Sequence, residues 1–528
     1  MIRYKPSNQI KIEEFKTPFE IKLDKTNRWV KMSELIPWDK LAPIYYKSLS
    51  EKEGRRSIDA RRIIGAMLIK HKLNLSDEET VLQIKENVYM QFFLGYDQFE
   101  DDPIFTPTLF VEIRKRLGLE KFNEMTDLII DLAYSRQETK SVKKNNKDKR
   151  NASSSDSSIK TEQSEQEKSQ GSISSVEATS VEATKNHGRM IIDATVANQA
   201  IKYPTDLELL NDSREISEKL IDGMYKKGLT TKKPRTYRRK ARKEFLAIAK
   251  KKKKTRMEIR KAMRKQLGYV GRNLKSIEKI LENRIDQKFP LSKKEQKQLW
   301  VISEIYRQQK EMYDAREHSC DARIVSISQP QVRPIVRGKQ GKEVEFGAKI
   351  GVSLRNGFAK VDHLSWEAYN ESKDLPTQVE NFKKTYGSYP KVILADTIYG
   401  TKENREFMKT KGIRFAGKPL GRPKKQTEDN KKELTSERQR RKKEYHERIP
   451  IEGKFGQGKN GYRLNYIRAK LPKTSESWIG CIFFVMSIVN SMNKQGKKIN
   501  SILNAQILGL KFYFQQIFAT QNLSYAIL

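Results

Sequence analysis

The chain has 528 residues, with 106 Lys and Arg against 66 Asp and Glu, a formal net charge of +40. That length predicts two or three folded units, and so large a positive excess asks for a polyanionic partner, nucleic acid first. Two distant cysteines, Cys320 and Cys481, and five scattered histidines exclude a Cys/His zinc cluster and a disulfide framework. The N-terminal MIRYKPSNQIKIEEF lacks the apolar run of a signal peptide. The longest apolar run, Ile479 to Val489, is too short to span a bilayer and reads as a buried helix.

In chain order, Ile58, Ile63, Ile64, Met67 and Leu68 recur at helical spacing between Ser57 and Leu73, with Ser57 as the N-cap. Ser76 and Glu79 form a capping box for a second helix. A third starts at Thr106 with Pro107 in its first position and carries Arg114, Lys115 and Arg116. Three short helices ending on a basic one read equally as a helix-turn-helix unit or a plain bundle. From 137 to 187 Ser, Lys, Glu and Asn dominate, with a tandem SVEAT-SVEAT over Ser175 to Thr184; this composition buries no core and reads as a linker.

The strand Arg189 to Ala194 follows, then a lysine-rich helical stretch from Leu207 to Glu317 that includes the run Lys250 to Lys254. An excess of one sign over so many turns favours phosphate contact over a merely solvated face. Alternating segments come next: RIVSISQ from Arg323, VEFGAKIGVSL from Val344, the turn Arg355-Asn356-Gly357, and FAKVDHL from Phe358. A helix over Pro376 to Thr385, a strand over Lys391 to Ala395, a helix over Thr401 to Lys411 and a strand over Ile413 to Ala416 complete an α/β layout.

Asp193 closes the apolar Met190-Ile191-Ile192, and Asp396 closes Val392 to Ala395. Ligands of open α/β sheets bind outside strand ends, where such carboxylates meet them; either residue alone is also an ordinary turn aspartate. Tyr445, Arg448, Glu452 and Lys459 follow one another in steps of three, four and seven, which on one helix confines them to an arc of about 60°. Pro450, Gly453, Gly456 and Gly458 weaken that helix, so it is expected to start near Pro450 with Tyr445 and Arg448 on the preceding turn. Trp366 reads as a core aromatic before a base-stacking one, and Tyr445 and Lys459 also have bland readings, as a packing aromatic and a surface lysine.

Tyr-(2)-Arg-(3)-Glu-(6)-Lys matches, at every spacing, the signature of a large group of bacterial insertion-sequence DDE transposases. The chain resembles that group also in Asp193-Ala194-Thr195, in Ala395-Asp396-Thr397-Ile398-Tyr399-Gly400 with Asn404, in Gly412-Ile413-Arg414-Phe415 and in Gly421-Arg422-Pro423. Gln91-Phe92-Phe93-Leu94-Gly95 with Arg114-Lys115-Arg116-Leu117 looks like its N-terminal domain. The likeness covers most of the chain outside the polar linker.

The resemblance implies an α/β fold: an RNase H-like catalytic domain over 188–494, a mixed sheet flanked by helices, with Asp193 on its first strand, Asp396 on its fourth and Glu452 on a late helix. It implies a mostly helical DNA-binding domain over 1–136, the linker over 137–187, a helical basic insertion at about 207–317 and a helical tail over 495–528. Asp193, Asp396 and Glu452 become the catalytic, metal-holding carboxylates for two Mg²⁺ ions, with Mn²⁺ able to substitute, and Tyr445, Arg448 and Lys459 become DNA contacts. The implied reaction is cut-and-paste transposition: binding of terminal inverted repeats, cleavage, and transfer of the 3′ ends to target DNA. It implies a homodimer in the synaptic complex, in the bacterial cytoplasm at the nucleoid, with no membrane and no protein partner.

The chemistry agrees. In-line displacement at phosphorus needs charge neutralised on both the attacking and leaving sides, which two metals about 3.5–4 Å apart supply, and Mg²⁺ prefers oxygen ligands. Two alternatives stand beside it: an RNase H-like nuclease that cuts branched DNA without joining, and a sequence-specific DNA-binding protein without cleavage.

Overall fold

Period-two alternation builds the centre of the molecule, where β3 (Lys342–Arg355) turns through Asn356 and Gly357 into β4 (Phe358–Ser365). Both turn residues have positive φ, 50° and 78°, which a two-residue hairpin requires and which Asn and Gly adopt at least cost. The computed structural model describes residues 12–17, 22–49, 57–134, 186–282, 289–339, 342–422, 425–427 and 429–494. The expected tail over 495–528, and the expected linker apart from 186–187, lie outside the described residues.

β1 (Arg189–Asn198) pairs antiparallel with β3, from Ile191 opposite Leu354 to Asn198 opposite Gly347. On its other edge it pairs parallel with β5 (Val392–Leu394), which pairs parallel with β6 (Arg414–Phe415). β2 (Arg333–Lys339) lies antiparallel to β3, giving the order β2-β3-β1-β5-β6 with β4 also on β3. At Gly347 β3 is paired on both sides, with Asn198 and Arg333. A Cβ there would stand 2.0 Å from the Ala197 carbonyl oxygen, so a side chain is excluded.

The sheet is covered on both faces. Met190 and Ile192 of β1 join Ile393 under α12 (Leu375–Tyr386) and α13 (Lys402–Thr410) in one core, with Leu375, Val379, Phe382 and Met408. The other face, carrying Ile350, Val352 and Leu354, packs against the N-terminal helices and α16 (Pro472–Lys494) in a second. Those N-terminal helices are α1 (Arg28–Leu35), α2 (Trp38–Tyr46), α3 (Ala60–Leu73), α4 (Asp77–Glu86), α5 (Val88–Phe93), α6 (Leu109–Arg116) and α7 (119–134). They contribute Ile63, Met67, Phe93 and Phe110 to the same core as Ile482 and Phe484 of α16. α16 is long and apolar enough to cross a membrane by length and composition, but 72% of its apolar window is buried inside the protein. Between β1 and β2 stand α8 (Asp206–Lys226), α9 (Arg238–Ala249), α10 (Arg256–Glu282) and α11 (Lys293–Ala315), with a small core of their own around Leu220, Ile221, Ile277 and Ile302.

Several local expectations shift. α3 is capped by Asp59, whose side chain accepts from Arg61 N at 2.7 Å, not by Ser57. α6 begins at Leu109 and leaves Thr106 and Pro107 outside. At Ser76 the cap forms, but the Glu79 carboxylate turns to Gln83 Nε2 at 3.0 Å. RIVSISQ forms no strand: Ile324 and Val325 are buried against the insertion, and the Ile324 N–H donates to the Gln308 side chain of α11 at 3.0 Å in place of a ladder partner. Trp366 packs against the core, its Nε1 donating to Glu476 at 2.9 Å.

Arg114 departs most from its sequence reading. It is 5% exposed, grips Asp77 through both guanidinium nitrogens at 2.9 and 2.7 Å, and lies over the Trp478 ring at 5.3 Å. It ties α6 to α4 and α16. Removing one member of so shielded a pair strands its partner's charge; because Lys70 also reaches Asp77 at 2.9 Å, Arg114→Ala should cost about 2–3 kcal/mol. Urea unfolding reads that loss, and the salt dependence of DNA binding should stay at the parent slope; a lowered slope at parent stability would mean that Arg114 faces DNA.

Candidate active site

Asp193 lies within β1, not at its end as its neighbours suggested, because Val196 and Ala197 continue the buried run against β3. The parallel pairing with β5 does end there: the last pair is Ile191 with Leu394. Asp193 stands two residues beyond Ile191 in β1, and Asp396 two residues beyond Leu394, past the end of β5. Side chains two apart share a face of a strand, so Asp193 projects on the side of Ile191. Asp193 Oδ1 accepts from Ala194 N at 2.8 Å. Asp396 caps the turn Thr397–Tyr399, its Oδ1 accepting from Thr397 N at 2.6 Å. Asn404 holds that turn by donating to the carbonyls of Ser372 and Tyr399 at 2.7 and 3.0 Å.

Two helices bring the remaining residues over this face by different means. α14 (Lys431–Arg448) buries only Glu444, and charge lays it on the sheet: Glu444 pairs with Arg414 of β6, and Glu447 with Arg189 of β1 at 2.5 Å. α15 (Pro450–Gly456) is held by apolar burial, with Ile451 and Phe455 inside the α16 core, roughly 1.5–3 kcal/mol each. Pro450 takes its first position, where a missing N–H is tolerated. Between these anchors Glu452 emerges with its side chain 54% exposed.

Arg448 joins the two groups. Its Nη2 donates to Glu452 Oε1 at 2.7 Å, and its Nη1 stands 3.6 Å from Asp193 Oδ2, with the side chain 14% exposed. Tyr445 is 61% exposed, its ring 5.8 Å from the Arg448 guanidinium. The expected tight triad is therefore not what the side chains form: among the described residues no three His, Cys, Asp or Glu stand close enough to hold a metal ion. A guanidinium lies between two of the acids. The donors are nonetheless all carboxylate oxygens, two of the three acids already sharing one cation, and such a set suits a hard divalent ion.

Lys459 leaves the group. The chain passes from α15 into a π turn, Gln457–Gly461, whose wider winding breaks the 100° step that would have kept Lys459 on the Glu452 face. Its Nζ meets Glu345 of β3 at 3.1 Å instead, and Glu345 also accepts from Asn198 Nδ2 at 3.5 Å. Sequence reading did not mark Glu345, because an acid in an alternating strand carries no signal of its distant partner. Ile398, two residues after Asp396, and Ile449, next to Arg448, also flank the site. Both are exposed, and exposed aliphatics bordering charged groups suit contact with bases and sugars.

Burial tunes the surroundings. The Tyr399 hydroxyl is pushed up, first by burial and then by the carboxylates of Glu371 and Asp193, so it stays protonated. Lys454 is pushed down to about 8 by burial and by Lys494.

Residues 393–489 match a family model described as a transposase DDE domain, and residues 17–116 match one described as a transposase domain (DUF772). The first match takes in Asp396 and all of Tyr445, Arg448, Glu452 and Lys459, but begins after Asp193. A curated protein of Rhizobium meliloti, "Uncharacterized protein ORF8 in nfe locus", is 30% identical over 107 residues, 20% of this chain and 50% of that protein. The chain thus spans about half the length of that relative. No solved structure matches.

Proposed function

We propose that this chain, which carries a transposase DDE domain and a DUF772 transposase domain, is an insertion-sequence transposase that binds terminal inverted repeats, cuts the DNA backbone by two-metal hydrolysis and transfers the 3′ ends to target DNA. The observation that supports the reading is Arg448 touching both Asp193 and Glu452, close to where the β1–β5 pairing ends, two residues before Asp193 and Asp396. The order β2-β3-β1-β5-β6 with β4 also on β3, where β3 is antiparallel to β1, β2 and β4 and where β5 and β6 are parallel to β1, supports an RNase H-like domain.

Asp193, Asp396 and Glu452 would hold two Mg²⁺ or Mn²⁺ ions, which supply an activated water and neutralise charge on both sides of phosphorus. Arg448, already poised between two of these acids, offers its planar fork to a phosphate near the cut. Tyr445 and Ile449 border it, and Ile398 borders Asp396, where they shield the reacting phosphate from bulk water. Lys459 keeps its place as a DNA contact at the far end of the same segment, beside Glu345. The acting species is a homodimer at the bacterial nucleoid.

The test is incubation of the protein with duplexes bearing the element's ends. Cutting at the end and joining to a second duplex, both dependent on Mg²⁺ or Mn²⁺, is the expected result. Cutting of branched DNA whatever its end, without joining, would favour the nuclease, and tight salt-sensitive binding without nicking would favour the binding protein.

A further inference from the structure

Between residues 232 and 265 the chain places eighteen Lys and Arg against two acids, Glu244 and Glu258. This stretch comprises the approach to α9, α9 itself, the turn carrying Lys250 to Lys254, and the first turns of α10. Both acids are used internally. Glu244 accepts from Lys265 and from the Tyr269 hydroxyl of α10, each at 2.9 Å, stapling the two helices. Glu258 accepts from the Thr255 N–H at 3.0 Å at the start of α10 and pairs with Lys251. Gln266 adds a bond to the Ala241 carbonyl at 3.1 Å, and Ala241, Ala262 and Leu267 are buried.

Of the eighteen cations, only Lys233, Arg238, Lys251 and Lys265 sit in ion pairs among the described residues. The rest, among them Arg239, Lys243, Lys250, Lys252, Lys253 and Lys254, are exposed or nearly so. A folded hairpin that spends its acids on its own staples and presents cations outward is shaped for a polyanion. Contacts of such cations to phosphate carry no sequence information of their own.

We infer that the α9–α10 hairpin is a sequence-independent clamp on duplex DNA phosphates, separate from the carboxylate site. The choice of duplex DNA rests on the transposase reading; the charge argument does not. The test compares the full chain with two variants, Lys250→Ser, Lys252→Ser, Lys253→Ser and Lys254→Ser combined, and Arg239→Gln with Lys243→Gln, by binding isotherms on end and random duplexes at several salt concentrations. Each lost phosphate contact lowers the log–log salt slope by about 0.9. The first variant should therefore lose about two to three units of slope and roughly 10- to 100-fold in affinity near 0.1 M salt, the second about one to two units, both with the end-to-random affinity ratio of the parent.

Slopes within about half a unit of the parent in both variants would overturn the inference. So would a collapse of the end-to-random ratio, or a loss confined to RNA. If the parent neither prefers ends nor cuts with Mg²⁺, the transposase reading fails, while the slope comparison still decides the hairpin.

Discussion

Asp193→Asn, Asp396→Asn and Glu452→Gln should each slow strand cleavage by at least about 10³-fold, since the charge they neutralise is worth several kcal/mol at the transition state, and should leave binding of the element's ends nearly intact. The changes are nearly isosteric. Glu452 is half-exposed and packs through its neighbours Ile451 and Phe455. Asn at 193 or 396 keeps a side-chain oxygen able to accept the backbone N–H bonds that Asp193 and Asp396 now receive from Ala194 and Thr397. Losing a negative charge also lessens repulsion of phosphate. Mn²⁺ titration by calorimetry without DNA supplies a second readout: each variant should bind the ion more weakly than the parent. Lost end binding in all three with residual nicking would sink the assignment.

Arg448 and Lys459 should part company, although the spacing of the signature presents them as equals. Arg448 bridges Asp193 and Glu452, so Arg448→Ala removes a cation from where negative charge gathers and should slow single-turnover cleavage about 10²- to 10³-fold with a smaller loss of binding. Lys459 meets Glu345 where both are largely shielded, at 22% and 12% side-chain exposure. Lys459→Ala should therefore cost about 1–2 kcal/mol of stability by depriving a largely shielded carboxylate of one partner, read by urea unfolding, besides any loss of DNA contact. Arg448→Ala cutting at the parent rate would make the signature coincidental at that position and remove the main support for Glu452. Lys459→Ala at parent stability but slow in cleavage would move Lys459 to the phosphate.

What the amino-acid sequence determined by itself is short in range. The hairpin at Asn356-Gly357, α12, α13 capped by Thr401, and the strand leading to Asp396 follow from periodicity, caps and turn chemistry acting within a few residues. The candidate carboxylates were legible for the same reason, as acids closing apolar strands or standing in a spaced set. The tertiary structure alone decided which distant groups meet. Asp193 and Glu452, far apart in the chain, meet only through Arg448, which contacts both. Arg114, basic on a basic helix, is drawn inside because Asp77 and Trp478 wait there. Lys459 leaves Glu452 because a π turn rewinds the helix toward Glu345, and in RIVSISQ Ile324 is drawn out of the sheet, buried, with its N–H on Gln308 of the insertion. A charge or a backbone N–H takes whichever partner offers the best compensation for its burial, and that choice is made across the fold, where local pattern carries no information.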